Sequence, residues 1–116
     1  MHPNLFRKLE KTLSALEYLF VAKDFHAIEL LTGGIRLSAD EIKTALEEYP
    51  DELEGFNWNS LDTVKIESSQ TNLWSVDIRF KTKSGADSDL TLSLHLQDRG
   101  TAFESYVLEI LNIHVL

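Results

Sequence analysis

Four histidines, His2, His26, His95 and His114, are the side chains of this sequence best suited to acid–base or metal chemistry. None stands at the i, i+4 helical spacing that brings two imidazoles onto one metal ion. The chain has no cysteine, which excludes disulfides, thiolate metal sites and cysteine nucleophiles. His95 is the one of most interest. Pairing Phe80 with Leu90 across the Lys81–Asp89 loop sets Asp77 opposite Ser93 and diagonal to His95, and diagonal neighbours touch through long side chains. A carboxylate so placed raises the basicity of an imidazole, as a general base requires. These positions lie on the polar side of the strands, however, where nothing excludes water. The pair is therefore expected to serve solubility or a contact with a second copy.

Asp87 and Asp89 flank Ser88 in a glycine-containing stretch. Two carboxylates can hold a cation, but an Asp/Ser/Gly string is also what a hairpin turn uses for its own backbone, and the rest of a calcium loop is missing. Gly33-Gly34 lacks the Lys-Ser/Thr of a phosphate loop, and no Gly-x-Ser-x-Gly elbow occurs. No catalytic residue, metal or cofactor is expected. The nearest thing to a ligand site is aromatic: Tyr49, Phe56 and Trp58, with His26, are candidates to line the mouth of a cavity. Aromatic residues at such positions are more often plain core; alternatively His26, Tyr49 or Trp58 serves the site of a small enzyme at the open end of the fold.

Nineteen acidic residues against eleven basic ones give a formal net charge of −8. That field has the wrong sign for gripping nucleic acid. The carboxylates concentrate at Asp40-Glu41, Glu47-Glu48 and Asp51-Glu52-Glu54. A solvated helix face accounts for this, as does a patch that receives a basic protein, such as the toxin met by an immunity-type protein. No apolar run reaches membrane-spanning length and no signal peptide is visible, so a cytoplasmic setting without membrane contact is expected.

The elements that must position these residues follow from periodicity. Leu5, Leu9, Leu13, Leu16 and Phe20 recur at helical intervals. Asp24 caps a second helix that runs to Leu31 and closes at Thr32-Gly33-Gly34. Ser38 and Glu41 form a capping box, and Ile42, Ala45, Leu46 and Tyr49 make the apolar side of a third helix that Pro50 stops. Asp51 to Ser60 has no period and is expected to be an ordered loop carrying Phe56 and Trp58. From Leu61 the period is two. Val64 and Ile66 mark a first strand. Trp74, Val76, Ile78 and Phe80 mark a second, and Leu90, Leu92, Leu94 and Leu96 a third, each with an apolar and a polar face. Asp98-Arg99-Gly100 turns the chain into a fourth strand from about Phe103 to the last residue. Tyr106, Leu108 and Ile110 lie on one phase of it and Ile113 and Val115 on the other, so a β-bulge is expected near Leu111-Asn112. Helices first and antiparallel strands after give one α+β domain over residues 1–116, with the helices on one face of the sheet.

Two stretches carry a family resemblance. "FVAKDFHAIELLTG", Phe20 to Gly33, resembles the helix pair that opens many nuclear-transport-factor-2-like (cystatin-like, SnoaL-type) proteins. "GGIRLSADEI", "SDLTLSL" and "NIHVL" resemble a small uncharacterised bacterial domain of unknown function. The resemblance implies a cone-like fold with a curved sheet around helices, often as a homodimer. Enzymes of that superfamily place Asp, His or Tyr inside the cone, whereas the inward positions here are hydrophobic. The expected function is thus non-enzymatic binding, as a homodimer joined through the polar sheet face: Asp77, Arg79, Thr91, Ser93, His95 and Gln97.

Overall fold

The computed structural model describes residues 3–33, 36–66, 72–100 and 105–115. His2, Gly34, the Phe103 start of the fourth strand and Leu116 lie outside them. Three helices precede four strands: α1 (Pro3–Val21), α2 (Phe25–Thr32), α3 (Ala39–Glu47), β1 (Leu53–Lys65), β2 (Asn72–Thr82), β3 (Asp87–Asp98) and β4 (Val107–Val115). The strands form one antiparallel sheet in the order β1-β2-β3-β4. This is the expected α+β architecture.

Each helix starts and stops for a local reason. α1 ends in a Schellman motif, with Asp24 N–H on Leu19 C=O at 3.0 Å and Lys23 N–H on Phe20 C=O at 3.1 Å. The left-handed residue of that motif is Lys23, at φ 58°, rather than the usual glycine. Asp24 then caps α2 at once, accepting the Ala27 N–H at 3.1 Å. Gly33, at φ 80°, closes it. Ser38 and Glu41 complete both bonds of the capping box. α3 stops at Glu47 with Glu48 as its cap, so Tyr49 lies beyond the helix and not on its apolar side.

The core lies between the helices and one face of the sheet. Leu13, Leu16, Ile28 and Ile42 are fully buried against Val76, Ile78, Leu92, Leu94 and Leu96. At 20–33 cal/mol per Å² of apolar surface withdrawn from water, this burial is the main force closing the domain. Phe20, Phe56 and Phe80 form a three-ring cluster with centroids 5.2 to 5.8 Å apart.

The bulge expected in β4 is present: Ser93 pairs with Asn112 while the adjacent Leu94 pairs with Ile110, leaving Leu111 as the extra residue. Ile113 thereby turns inward, whereas Val115 is 56% exposed at the strand end. The β2–β3 register runs as expected through Asp77↔Ser93 and Arg79↔Thr91, then shifts to Lys81↔Asp87. There the buried Ser88 hydroxyl donates to Phe80 C=O at 2.7 Å. Asp87 and Asp89 consequently belong to β3; the turn itself is made around Gly85, at φ 87°.

The segment Asp51–Ser60 corrects the expectation of a loop. From Leu53 onward it is strand, interrupted twice. One shift falls between Leu53 and Phe56, at Gly55 with φ 80°, and a larger one between Asn57 and Asp62. Within the second, Ser60 Oγ accepts the Arg79 N–H at 2.8 Å. Two bulges in one strand erase the alternation by which strands are recognised.

Candidate functional site

Of the four candidate ligand-site residues, Tyr49 lines both of the hollows described below. Phe56 is 4% exposed and backs Phe20 and Phe80 from below. Trp58 is half-buried against Phe56, and its indole N–H donates to Glu17 Oε2 at 3.2 Å. His26 is exposed on α2 and contributes to neither hollow described below. The twice-bulged strand places Phe56 in the core and packs Trp58 against it.

The cavity is a cleft of about 220 Å³ where the α1–α2 corner, the end of α3 and the start of β1 converge. Phe20, Phe25, Phe80, Leu46 and Leu53 supply an apolar floor and Lys23, Glu47, Asp51 and Glu52 a charged mouth. Lys23 Nζ stands 3.9 Å from Glu52, whose other oxygen is 3.5 Å from Lys83. Glu47 stands 3.9 Å from Lys43. These pairs are largely exposed, and exposed pairs hold weakly. Asp51 has no ion-pair partner among the described residues.

A second, more open hollow of about 550 Å³ adjoins the first, sharing Tyr49 and Pro50 with it. Ala45, Leu90, Ile113 and Val115 give it an apolar floor, and Glu48, Asp89 and His114 complete it. The Tyr49 hydroxyl donates to Asp89 Oδ1 at 2.7 Å and accepts the Asp89 N–H at 3.3 Å. Its hydrogen bond to the Asp89 carboxylate raises the phenol pKa above the ordinary value. Asp87 accepts instead from Asn57 Nδ2, at 2.9 Å. The two aspartates thus serve different protein donors. His114 Nδ1 is buried without a hydrogen-bond partner among the described residues.

The polar sheet face is assembled as its periodicity implies. Asp77, Arg79, Thr91, Ser93, His95 and Gln97 all fall on it by register, and Ser93 Oγ donates to Asp77 Oδ1 at 2.6 Å. His95 lies opposite Ser75 on one side and Glu109 on the other, and Glu109 accepts from Arg36 Nε at 2.9 Å. Thr91 is 2% exposed, flanked on its neighbouring strands by Arg79 and His114. No group of three or more His, Asp or Glu side chains that could hold a metal ion occurs among the described residues. Among the same residues no helix is long and apolar enough to cross a membrane.

A family model described as a domain of unknown function, DUF7668, matches residues 18–116. The chain belongs to the DUF7668 family. No curated protein and no solved structure matches it. Every residue of the two hollows falls within the DUF7668 span, which begins in the last turn of α1. The hollows are therefore built by the DUF7668 domain itself, and the earlier turns of α1 brace it from outside that span.

Proposed function

We propose that this chain is a binding domain rather than an enzyme, and that its binding site is the 220 Å³ cleft beside Tyr49. The observation that carries the reading is the make-up of that cleft: an aromatic floor beneath a small number of charged groups, which is how small binding sites are built. Binding is favoured over catalysis because the positions of β2 and β3 that face the helices are filled by Val, Ile, Leu and Phe. ¹H–¹⁵N spectra recorded with millimolar n-butylammonium, butyrate and benzyl alcohol test this. Shifts confined to the amides of Lys23, Glu47, Asp51 and Leu53 are expected. Spectra unmoved by all three probes overturn the reading.

A second reading, pairing with another copy through the outer sheet face, has its own support. Val64 and Val107, 57% and 39% exposed, project from the two edge strands on that face, beside short side chains such as Ser75. Sedimentation equilibrium at high micromolar protein tests it. A dimer weakened by Val107→Lys supports the reading, and a monomer mass at every concentration removes it.

We also read the fold as a small member of the nuclear-transport-factor-2-like superfamily. Support comes from the α1–α2 corner and from three helices on one face of a bulged antiparallel sheet. The cysteine-free composition supports a cytoplasmic setting.

A further inference from the structure

The two hollows on either side of Tyr49 and Pro50 share a pattern. Each has an apolar floor, and each carries carboxylates: Glu47, Asp51 and Glu52 around the first, Glu48 and Asp89 around the second. A lysine or arginine side chain has the matching form, an aliphatic stem that packs on apolar surface and a cationic head that stays at the wet edge. The first hollow, at about 220 Å³, falls below the size of ordinary drug or cofactor pockets, about 300–1,000 Å³. It suits one such side chain.

We infer that the two hollows together receive a basic polypeptide segment laid across Tyr49-Pro50, with one lysine or arginine side chain in each. This rests on the reading of the cleft as a binding site and names its occupant. Charge argues for a polypeptide over a free amine. The carboxylates continue past both hollows to exposed Glu54, and the whole chain carries −8, a field that accelerates encounter with a polycation. A single amine would make no use of the second hollow or of the 56%-exposed Val115 within it.

Two details of the chain fit this occupant. Glu47 and Glu48 end α3 with no basic residue in the last turn. Negative charge at that end opposes the helix dipole, so helix stability alone does not explain it. Lys23, meanwhile, holds a left-handed position that glycine would fill with less strain. From there its ammonium reaches the mouth of the first hollow, near Glu52. It already occupies the mouth as an incoming lysine would, and acts as a built-in competitor.

Titration of the full chain with pentalysine, followed by ¹H–¹⁵N spectra, tests the inference. Simultaneous shifts around Asp51 and around Glu48 and Val115 are expected, with affinity falling several-fold between 50 and 200 mM salt. Asp51→Asn weakens binding about two- to fivefold and Lys23→Gly strengthens it by a similar factor, as exposed charge pairs do. Glu10→Gln, which removes the same charge from the exposed side of α1, leaves affinity unchanged. Two results overturn the inference while the cleft remains a binding site: n-butylammonium binding as tightly as pentalysine, or pentalysine shifting nothing where butyrate or benzyl alcohol still shift the cleft. A cleft that no probe shifts overturns both readings.

Discussion

Glu17 and Trp58 are joined by a 3.2 Å hydrogen bond from the indole N–H to Oε2, and that same oxygen accepts the Phe56 backbone N–H at 2.7 Å. A single carboxylate on α1 therefore holds the twice-bulged stretch of β1 in place, substituting for sheet bonds that the bulges remove. Gly55 lies against that same carboxylate. A Cβ added there would meet Glu17 Oε2 at 2.9 Å.

The geometry predicts a coupled pair of substitutions. Glu17→Ala leaves the Phe56 and Trp58 donors unpaired and costs about 1–3 kcal/mol. Gly55→Ala costs about 1–2 kcal/mol for its left-handed backbone, and more because the new methyl group displaces the carboxylate. In the double variant the second contribution vanishes, so the two costs sum to less than additively. Urea denaturation of the four proteins checks this; strict additivity contradicts the proposed linkage.

Tyr106 gives an alkaline prediction. Burial, with the nearby Asp98 charge adding to it, pushes its phenol pKa up to about 12. The folded pKa lies above the unfolded value of 10, so the native state holds its proton longer. The associated stability is complete below pH 10 and is lost as pH rises toward 12. Phenolate absorbance followed against pH should show a late step near 12 that Tyr106→Phe removes. Chemical denaturation between pH 9 and 12 should decline less steeply in that variant.

At the acid end the corresponding pair is Lys8 and Asp98, in direct contact on the α1 side of the β3–β4 connection. The Lys8 ammonium, helped by the Gly100 N–H at 3.0 Å, holds the Asp98 carboxyl below its ordinary value of 3.8. A depressed folded pKa contributes stability that is present above the unfolded value and lost as pH falls through the folded one. Lys8→Met should therefore destabilise the protein at pH 7 and make its denaturation midpoint less sensitive to pH below 4. An unchanged pH slope there would show that Asp98 owes its acidity to the turn alone.

Where sequence reading succeeded and where it failed follows one physical rule. Period-two alternation in β2 and β3 survives because their central pairing, Trp74↔Leu96 to Arg79↔Thr91, is unbroken. Every inward Leu, Ile and Val there is buried as its position implies. A single bulge in β4 was legible because apolar residues stand on both sides of it and the change of phase is visible. In β1 the bulges crowd the stretch between Leu53 and Asp62, so the period of two shows only in its last residues, from Leu61 onward. Phe56 and Trp58 fall in that crowded stretch, which therefore reads as a loop although it is strand. Of the two hollows only Tyr49 was legible, since their shape depends on α3 stopping at Glu47, before Tyr49, rather than continuing to Pro50. The acidic residues around them were visible as a composition, but their shared geometry was not.

The β4 bulge can be tested by deletion. Removing Leu111 would join Ile110 to Asn112, and the register then runs without interruption from Leu96↔Leu108 to Leu90↔Val115. Ile110 and Ile113 both keep their inward faces, so the variant should fold, with a straighter β4 and a loss limited to the Leu111 side chain and the local twist. Removing Glu109 instead brings Leu108 and Ile110 into adjacent positions, which no strand can turn to the same side. Ile110, 2% exposed, then faces water opposite His95 while Leu111 takes its inward place opposite Leu94, so the core keeps its volume but loses its packing, at a cost of about 1.5 kcal/mol. Thermal melts should rank the deletion of Glu109 as clearly the more damaging. Equal losses would mean that the bulge itself, and not the phase it corrects, supports the strand.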